Sequence, residues 1–221
     1  MGIIGKADTR TGKMREHVEK AIRRQLAQYA TNEDSKVLDG IQKFLITAQL
    51  PPVTVGSVIH EAAWTIFRTF SFKEVSIGLK SLEDGMYRYE EFVGISKPVE
   101  EALRKMSYTY DDYFSQKEYP SIRLSKVTEL CIVEENPGLE FEKETYDPGT
   151  FTSGPRGSPD EFKEGDYIDV AMYTPEDEMI GWIEVSKPLH SKMPSIVTIR
   201  RLELFASVLS IMIQSVRLAK K

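Results

Sequence analysis

Apolar residues recur every three or four positions along the first third of the chain. In residues 13–29, Val18, Ile22, Leu26 and Tyr29 share one helical face. A second helix is predicted from Asp34 or Ser35, both suited to capping a helix N-terminus. It carries Val37, Leu38, Ile41, Phe44, Leu45 and Ala48 on a broad apolar face and ends before Pro51-Pro52. A third opens at Thr54 or Ser57, with Val58, Ile59, Ala62, Ala63, Ile66 and Phe67 at helical spacing.

After Phe72 the period drops to two. Val75, Ile77 and Leu79 alternate with Glu74, Ser76 and Gly78, and a second alternating run covers residues 86–93. Asp84-Gly85 between them is a hairpin signal. A short helix is predicted over 98–106, a strand over 127–133, a long polar loop over 134–166, and a second hairpin from strands 167–173 and 179–185. The last helix starts near Pro194-Ser195 and runs to about residue 219.

That last helix has two apolar stripes. Ile199, Leu202, Phe205, Leu209, Met212 and Val216 form one; Leu204, Val208, Ile211 and Leu218 form the other. Covering one sheet needs a single stripe. The second is either internal core or the seam of a homodimer built from Leu38, Ile41 and Leu45 with Leu204, Val208 and Ile211.

Composition narrows the setting. The net charge is -5, with basic residues gathered in the first 24 positions and acidic ones in the 134–166 loop. There is one cysteine, Cys131, so neither an internal disulfide nor a cysteine-based metal site is possible. No signal-like N-terminus and no apolar run long enough to span a bilayer is present, so a cytoplasmic protein with no membrane partner is expected.

The second half carries a family resemblance. Residues 167–173 (YIDVAMY) and 179–185 (MIGWIEV), then Pro188, Pro194-Ser195, Ile199 and Leu204-Phe205-Ala206, resemble the ending of a GAF domain, a small sensory module related to PAS. Residues 40–50, 55–70 and Val75-Ser76-Ile77-Gly78 look like the first helices and first strand of such domains, and residues 124–135 resemble a middle strand of a bacterial sensor subgroup. The resemblance implies an α/β fold, α+β in arrangement, with a central antiparallel sheet, helices on both faces and long terminal helices. The likeness covers roughly residues 35–218, and with the basic helix read from the first residues it gives a helical extension at 1–33 and a GAF-like domain at 34–221 as the expected division. It also implies a non-catalytic, regulatory role in signal transduction: binding a small molecule of unknown identity or a partner protein, and signalling through the terminal helices as a dimer. No output domain is expected after the last helix.

The residues leave other chemistry open. Cys131 or the carboxylates could serve a small enzyme on the same scaffold. The basic N-terminal helix could contact nucleic acid, although a solvated helix face explains it more simply. Cys131 sits between Leu130 and Ile132, and no spacing ties it to His17, His60 or His190, so an inert thiol is expected. Glu140, Glu142, Glu144 and Asp147 alternate without the pattern of a calcium loop, so no metal is assigned. The aromatic segment 108–119 suits a pocket lid or plain packing. Strand alternation puts Trp182 and Glu184 on one sheet face and Gly181 and Ile183 on the helix-covered one, where glycine would let a helix approach closely. Tyr87, Tyr89, Tyr113, Phe114, Cys131, Trp182 and Glu184 are thus the candidate ligand-binding residues; no cofactor is named by the sequence.

Overall fold

A computed structural model describes residues 7–29, 33–136, 140–146 and 154–219. The chain divides into two units, Met1–Gly40 and Ile41–Lys221. In the first, helix α1 (Ala7–Tyr29) exposes Met14, Val18 and Ile22. The boundary falls within α2 (Glu33–Thr47).

The second unit is built on a six-stranded antiparallel sheet of order β2-β1-β6-β5-β4-β3. Its strands are β1 (Phe72–Lys80), β2 (Tyr87–Val93), β3 (Ile122–Arg123), β4 (Thr128–Cys131), β5 (Tyr167–Tyr173) and β6 (Met179–Pro188). Helix α3 (Val55–Thr69) starts where Thr54 and Ser57 cap each other's backbone amides, a reciprocal arrangement that satisfies two otherwise unpaired donors. Helices α4 (Lys97–Leu103) and α5 (Tyr110–Tyr113) lie between β2 and β3, and α6 (Ile196–Ala219) closes the chain.

Register assigns the two faces. Ile77 of β1 stands opposite Ile183 of β6, which stands opposite Val170 of β5. Val75, Val185 and Ile168 form the next such row. These residues are almost fully buried and make the core under α3 and α6. Phe205 of α6 anchors it, with ring centroids 4.9 Å from Phe44 and 5.8 Å from Phe70.

The buried stripe of α6 is Ile199, Leu202, Phe205, Ala206, Leu209, Ser210 and Ile213; Met212 and Val216 are only half-buried. The second stripe is not internal core: Leu204, Ile211 and Leu218 are 53%, 61% and 67% exposed. Of the expected seam residues on α2, Leu38 and Leu45 are exposed, whereas Ile41 is buried in its own chain. Val208 is half-buried.

Three details differ from the sequence reading. β3 and α5 were not foreseen, although Thr109 and Asp112 cap α5 reciprocally. Gly181 admits no helix: with φ +156, a Cβ there would lie 2.2 Å from the Gly78 carbonyl oxygen, so it is the neighbouring strand that comes close. The 134–166 segment is also more built than a plain polar loop. Residues 137–139 and 147–153, Asp147 among them, lie outside the described residues. Residues Glu140–Thr145 form a 3-10 turn. Nearer β5, buried Asp166 accepts from the Val133 and Lys163 amides at 2.9 and 2.8 Å, and Arg156 bridges Asp166 to Glu134 at 2.9 and 2.7 Å.

Candidate functional site

The sheet face away from α3 and α6 is polar where a second core would be apolar. Ser76 (β1), Glu184 (β6), Asp169 (β5) and Glu129 (β4) stand in one register row across four strands. Three of the four are carboxylic acids on adjacent strands, spaced by the roughly 4.8 Å of strand pairing. The row below is Glu74, Ser186, Tyr167 and Cys131; the row above is Gly78, Trp182 and Ala171, with Tyr89 of β2 paired to Gly78.

Small residues on both sides make room for Trp182. Its indole lies over Gly78, where a Cβ would be 2.2 Å from the ring. Tyrosines enclose it, with centroids 5.0 Å away at Tyr89, 5.1 Å at Tyr113, 6.2 Å at Tyr108 and 6.4 Å at Tyr87. Together the aromatics and the acids bound a cavity of about 40 Å³, lined by Tyr89, Tyr108, Tyr113, Tyr119, Glu129, Cys131, Tyr167, Asp169, Trp182 and Glu184. A second cavity of about 110 Å³ shares Tyr89, Tyr108, Tyr119, Tyr167 and Glu184 and extends past Ile95, Val99 and Leu103 to Glu74 and Lys187.

Two of the three acids in the row are satisfied. Glu184 accepts from Tyr89 Oη at 2.6 Å and Ser76 Oγ at 3.1 Å. Glu129 accepts from Ser121 Oγ at 2.6 Å and Arg123 Nη2 at 3.0 Å. Asp169 differs: its Oδ1 is fully buried without a hydrogen-bond partner, as is Trp182 Nε1. Burial, then the nearby Glu184 charge, holds the Asp169 carboxyl well above its ordinary value of 3.8, with a hydrogen bond from Tyr113 pulling the other way. Burial likewise raises the Tyr89, Tyr113 and Tyr167 hydroxyls, so these remain neutral donors.

Most of the sequence-predicted ligand residues converge here. Tyr89, Tyr113, Cys131, Trp182 and Glu184 line the cavity. Tyr87 instead donates to the Met179 carbonyl at 2.9 Å inside the core, and Phe114 packs against the rim of the aromatic cluster. Sequence reading missed Asp169, Glu129 and Tyr167. The signal was available: each alternates onto the face of Trp182 and Glu184, but only strand order aligns them. Cys131 has its thiol pushed up by burial, then by the Asp169 charge. Native Cys131 should react with a maleimide at least about tenfold more slowly than in denaturant; equal rates would mean an activated thiol. Among the described residues, no group of His, Cys, Asp and Glu is placed to hold a metal ion, and no helix is long and apolar enough to cross a membrane.

No family model matches the sequence, and no curated protein matches it. Solved structures do match by shape. The GAF domain of an Acinetobacter phosphoenolpyruvate-protein phosphotransferase superposes with a TM-score of 0.51 at 12% identity, covering 82% of this chain and 92% of that one. The corresponding domain from Coxiella burnetii gives 0.53 at 9% identity, covering 86% and 99%. A bacteriophytochrome from R. palustris gives 0.54 at 15% identity, covering 86% of this chain and 39% of that protein. At such identities the likeness speaks for architecture alone, and the architecture of this chain is that of a GAF domain.

Proposed function

We propose that the protein is a non-catalytic sensory module that binds a small molecule between the sheet and the α5 region and reports through α6 as a homodimer in the cytoplasm. The observation that carries this reading is the pair of cavities with a buried, unpartnered carboxyl atom on the sheet face opposite the helix-covered core. The walls combine aromatic rings and a few aliphatic side chains with several carboxylates, and convergent polar groups in a concave aromatic site are what orient a ligand. The names of similar structures include a putative sensor histidine kinase from Pseudomonas syringae, which fits such a role.

The route to α6 is short. Glu129 and Cys131 face the cavity from β4. At the start of the same strand, Thr128 Oγ1 donates to Glu203 of α6 at 2.7 Å, and Ser125 Oγ does so at 2.5 Å. Ser210 Oγ of α6 donates to the Tyr173 carbonyl at the end of β5 at 2.7 Å. A ligand that binds one arrangement of β4 and β5 more tightly shifts the population of α6 placements by that difference in affinity. Mass spectrometry of the natively purified protein tests the reading: a stoichiometric small molecule, lost on unfolding, is expected. Failure of any metabolite to stabilise the protein would sink it.

Dimerisation through α6 has a specific seam. Val197, Leu204, Ile211 and Leu218 are each seven residues apart and 48%, 53%, 61% and 67% exposed. This is the spacing of a coiled-coil stripe, and each side chain buried across a two-fold axis contributes roughly 1.5–3 kcal/mol. The wild type is expected to scatter light as a dimer at micromolar concentration. Ile211→Glu, placed on an exposed position, should give a folded monomer. A monomeric wild type would remove the dimer from the proposal.

A further inference from the structure

We infer that the cavity beneath Trp182 takes the ammonium head of a small organic amine, with Asp169 as its ion-pair partner and the tyrosine and tryptophan rings as its walls. This deepens the sensory reading above and rests on it.

The charge of the site points one way. Across β6, β5 and β4 the row Glu184, Asp169 and Glu129 presents three carboxyl groups, and among the described residues no Lys or Arg lines this cavity. Arg123 pairs with Glu129 at 3.0 Å from outside the cavity and is itself mostly exposed. Glu184 and Glu129 have protein donors, and the Asp169 carboxyl has one in Tyr113, but Asp169 Oδ1, buried in a residue that lines the same cavity, has none. A buried acceptor left unpaired costs about 1–3 kcal/mol, and a ligand N–H donor removes that cost. An anion or a carboxylic acid would meet three acids instead.

The walls select the kind of cation. Tyr89, Tyr108, Tyr113 and Trp182 stand within 6.3 Å of one another by ring centroid along the contacts Tyr89–Trp182, Tyr108–Trp182, Tyr113–Trp182 and Tyr89–Tyr108. Aromatic faces attract an ammonium group, tryptophan most strongly, and more so out of water. The acids are not clustered for a metal ion. A volume of about 40 Å³ suits a single ammonium or methylammonium head. The adjoining 110 Å³ cavity has room for a short tail along Ile95, Val99 and Leu103, on the side away from Glu74 and Lys187, which pair with each other at 2.6 Å.

A cation here, with the Tyr113 hydrogen bond, draws Asp169 into its ionised form against burial and against Glu184 and Glu129, while the Tyr89 and Tyr167 hydroxyls and the neutral Cys131 thiol face the same space. Binding therefore releases a proton, and affinity rises with pH until Asp169 is ionised without ligand.

Calorimetry and thermal melts with n-butylammonium, set against uncharged 1-butanol of similar size, test the inference on the full chain. The amine is expected to bind with proton release and to raise Tm, and the alcohol to do neither. Asp169→Asn should weaken amine binding by at least about tenfold, and Glu184→Gln should weaken it as well while leaving the fold in place. Equal effects of amine and alcohol, amine binding unaffected by Asp169→Asn, or no amine binding would each overturn the inference. A neutral or anionic molecule found in the natively purified protein, together with no amine binding, would overturn the amine and leave the sensory reading standing; no stabilisation by any metabolite would remove both.

Discussion

Trp182→Ala is expected to destabilise the protein by about 3–5 kcal/mol, the range for removing a large buried aromatic side chain. Trp182 is 1% exposed. The cost depends on whether the surroundings can collapse into the space, and here they are held apart. Tyr87 Oη is anchored on the Met179 carbonyl at 2.9 Å, and Tyr89 Oη on Glu184 at 2.6 Å. Gly78 and Ala171 have no side chain long enough to move in. One effect works against the loss: Trp182 Nε1 is buried without a partner, so deleting the indole also removes an unsatisfied donor. The loss should therefore fall in the lower half of that range. Urea midpoints at unchanged slope measure it, and a loss under about 1 kcal/mol would mean that the tyrosines do close over the void. The same geometry read from the other side makes Gly78→Ala costly, since the new Cβ would sit 2.2 Å from the indole.

What the sequence made legible follows from the range of each signal. Local signals held. Thr54 with Ser57 caps α3, and Asp84-Gly85 joins β1 to β2, Met86 N donating to Asp84 Oδ1 at 3.1 Å. The alternation in 179–185 put Trp182 and Glu184 on the cavity face, where they stand. Long-range order was not legible. β6 lies between β1 and β5, and β4 beyond β5, so the acid row is assembled from residues 129, 169 and 184, each unremarkable in its own strand. Tyr87 shows the converse limit. Alternation puts it on the same face as Tyr89, but its hydroxyl turns to the Met179 carbonyl and the ring becomes core. β3 failed for a different reason: two residues cannot display a period.

Asp169→Asn is expected to stabilise the unliganded protein near neutral pH, because an amide is neutral without holding a proton that the unfolded chain would release. The pH dependence separates this from a packing effect. The folded-state pKa of Asp169 lies well above its ordinary value of 3.8, because burial and then Glu184 disfavour the charge. Below about 3.8 the carboxyl is protonated whether the chain is folded or not, and it makes no difference to stability. As pH rises past that value the unfolded chain gives up the proton while the folded chain keeps it. The native state then binds more protons, so stability falls with rising pH, and it levels off only above the folded-state pKa. Asparagine does not titrate and escapes this loss. The stability difference between Asp169→Asn and wild type should thus be small near pH 3.5 and widen steadily as pH is raised, which denaturation curves at several pH values will show. A gap that stays constant would assign the gain to packing alone, and a gap that narrows would mean that Asp169 is ionised and satisfied in the fold. Saturating n-butylammonium should shrink the gap at neutral pH, because only the wild-type carboxylate gains a counter-charge.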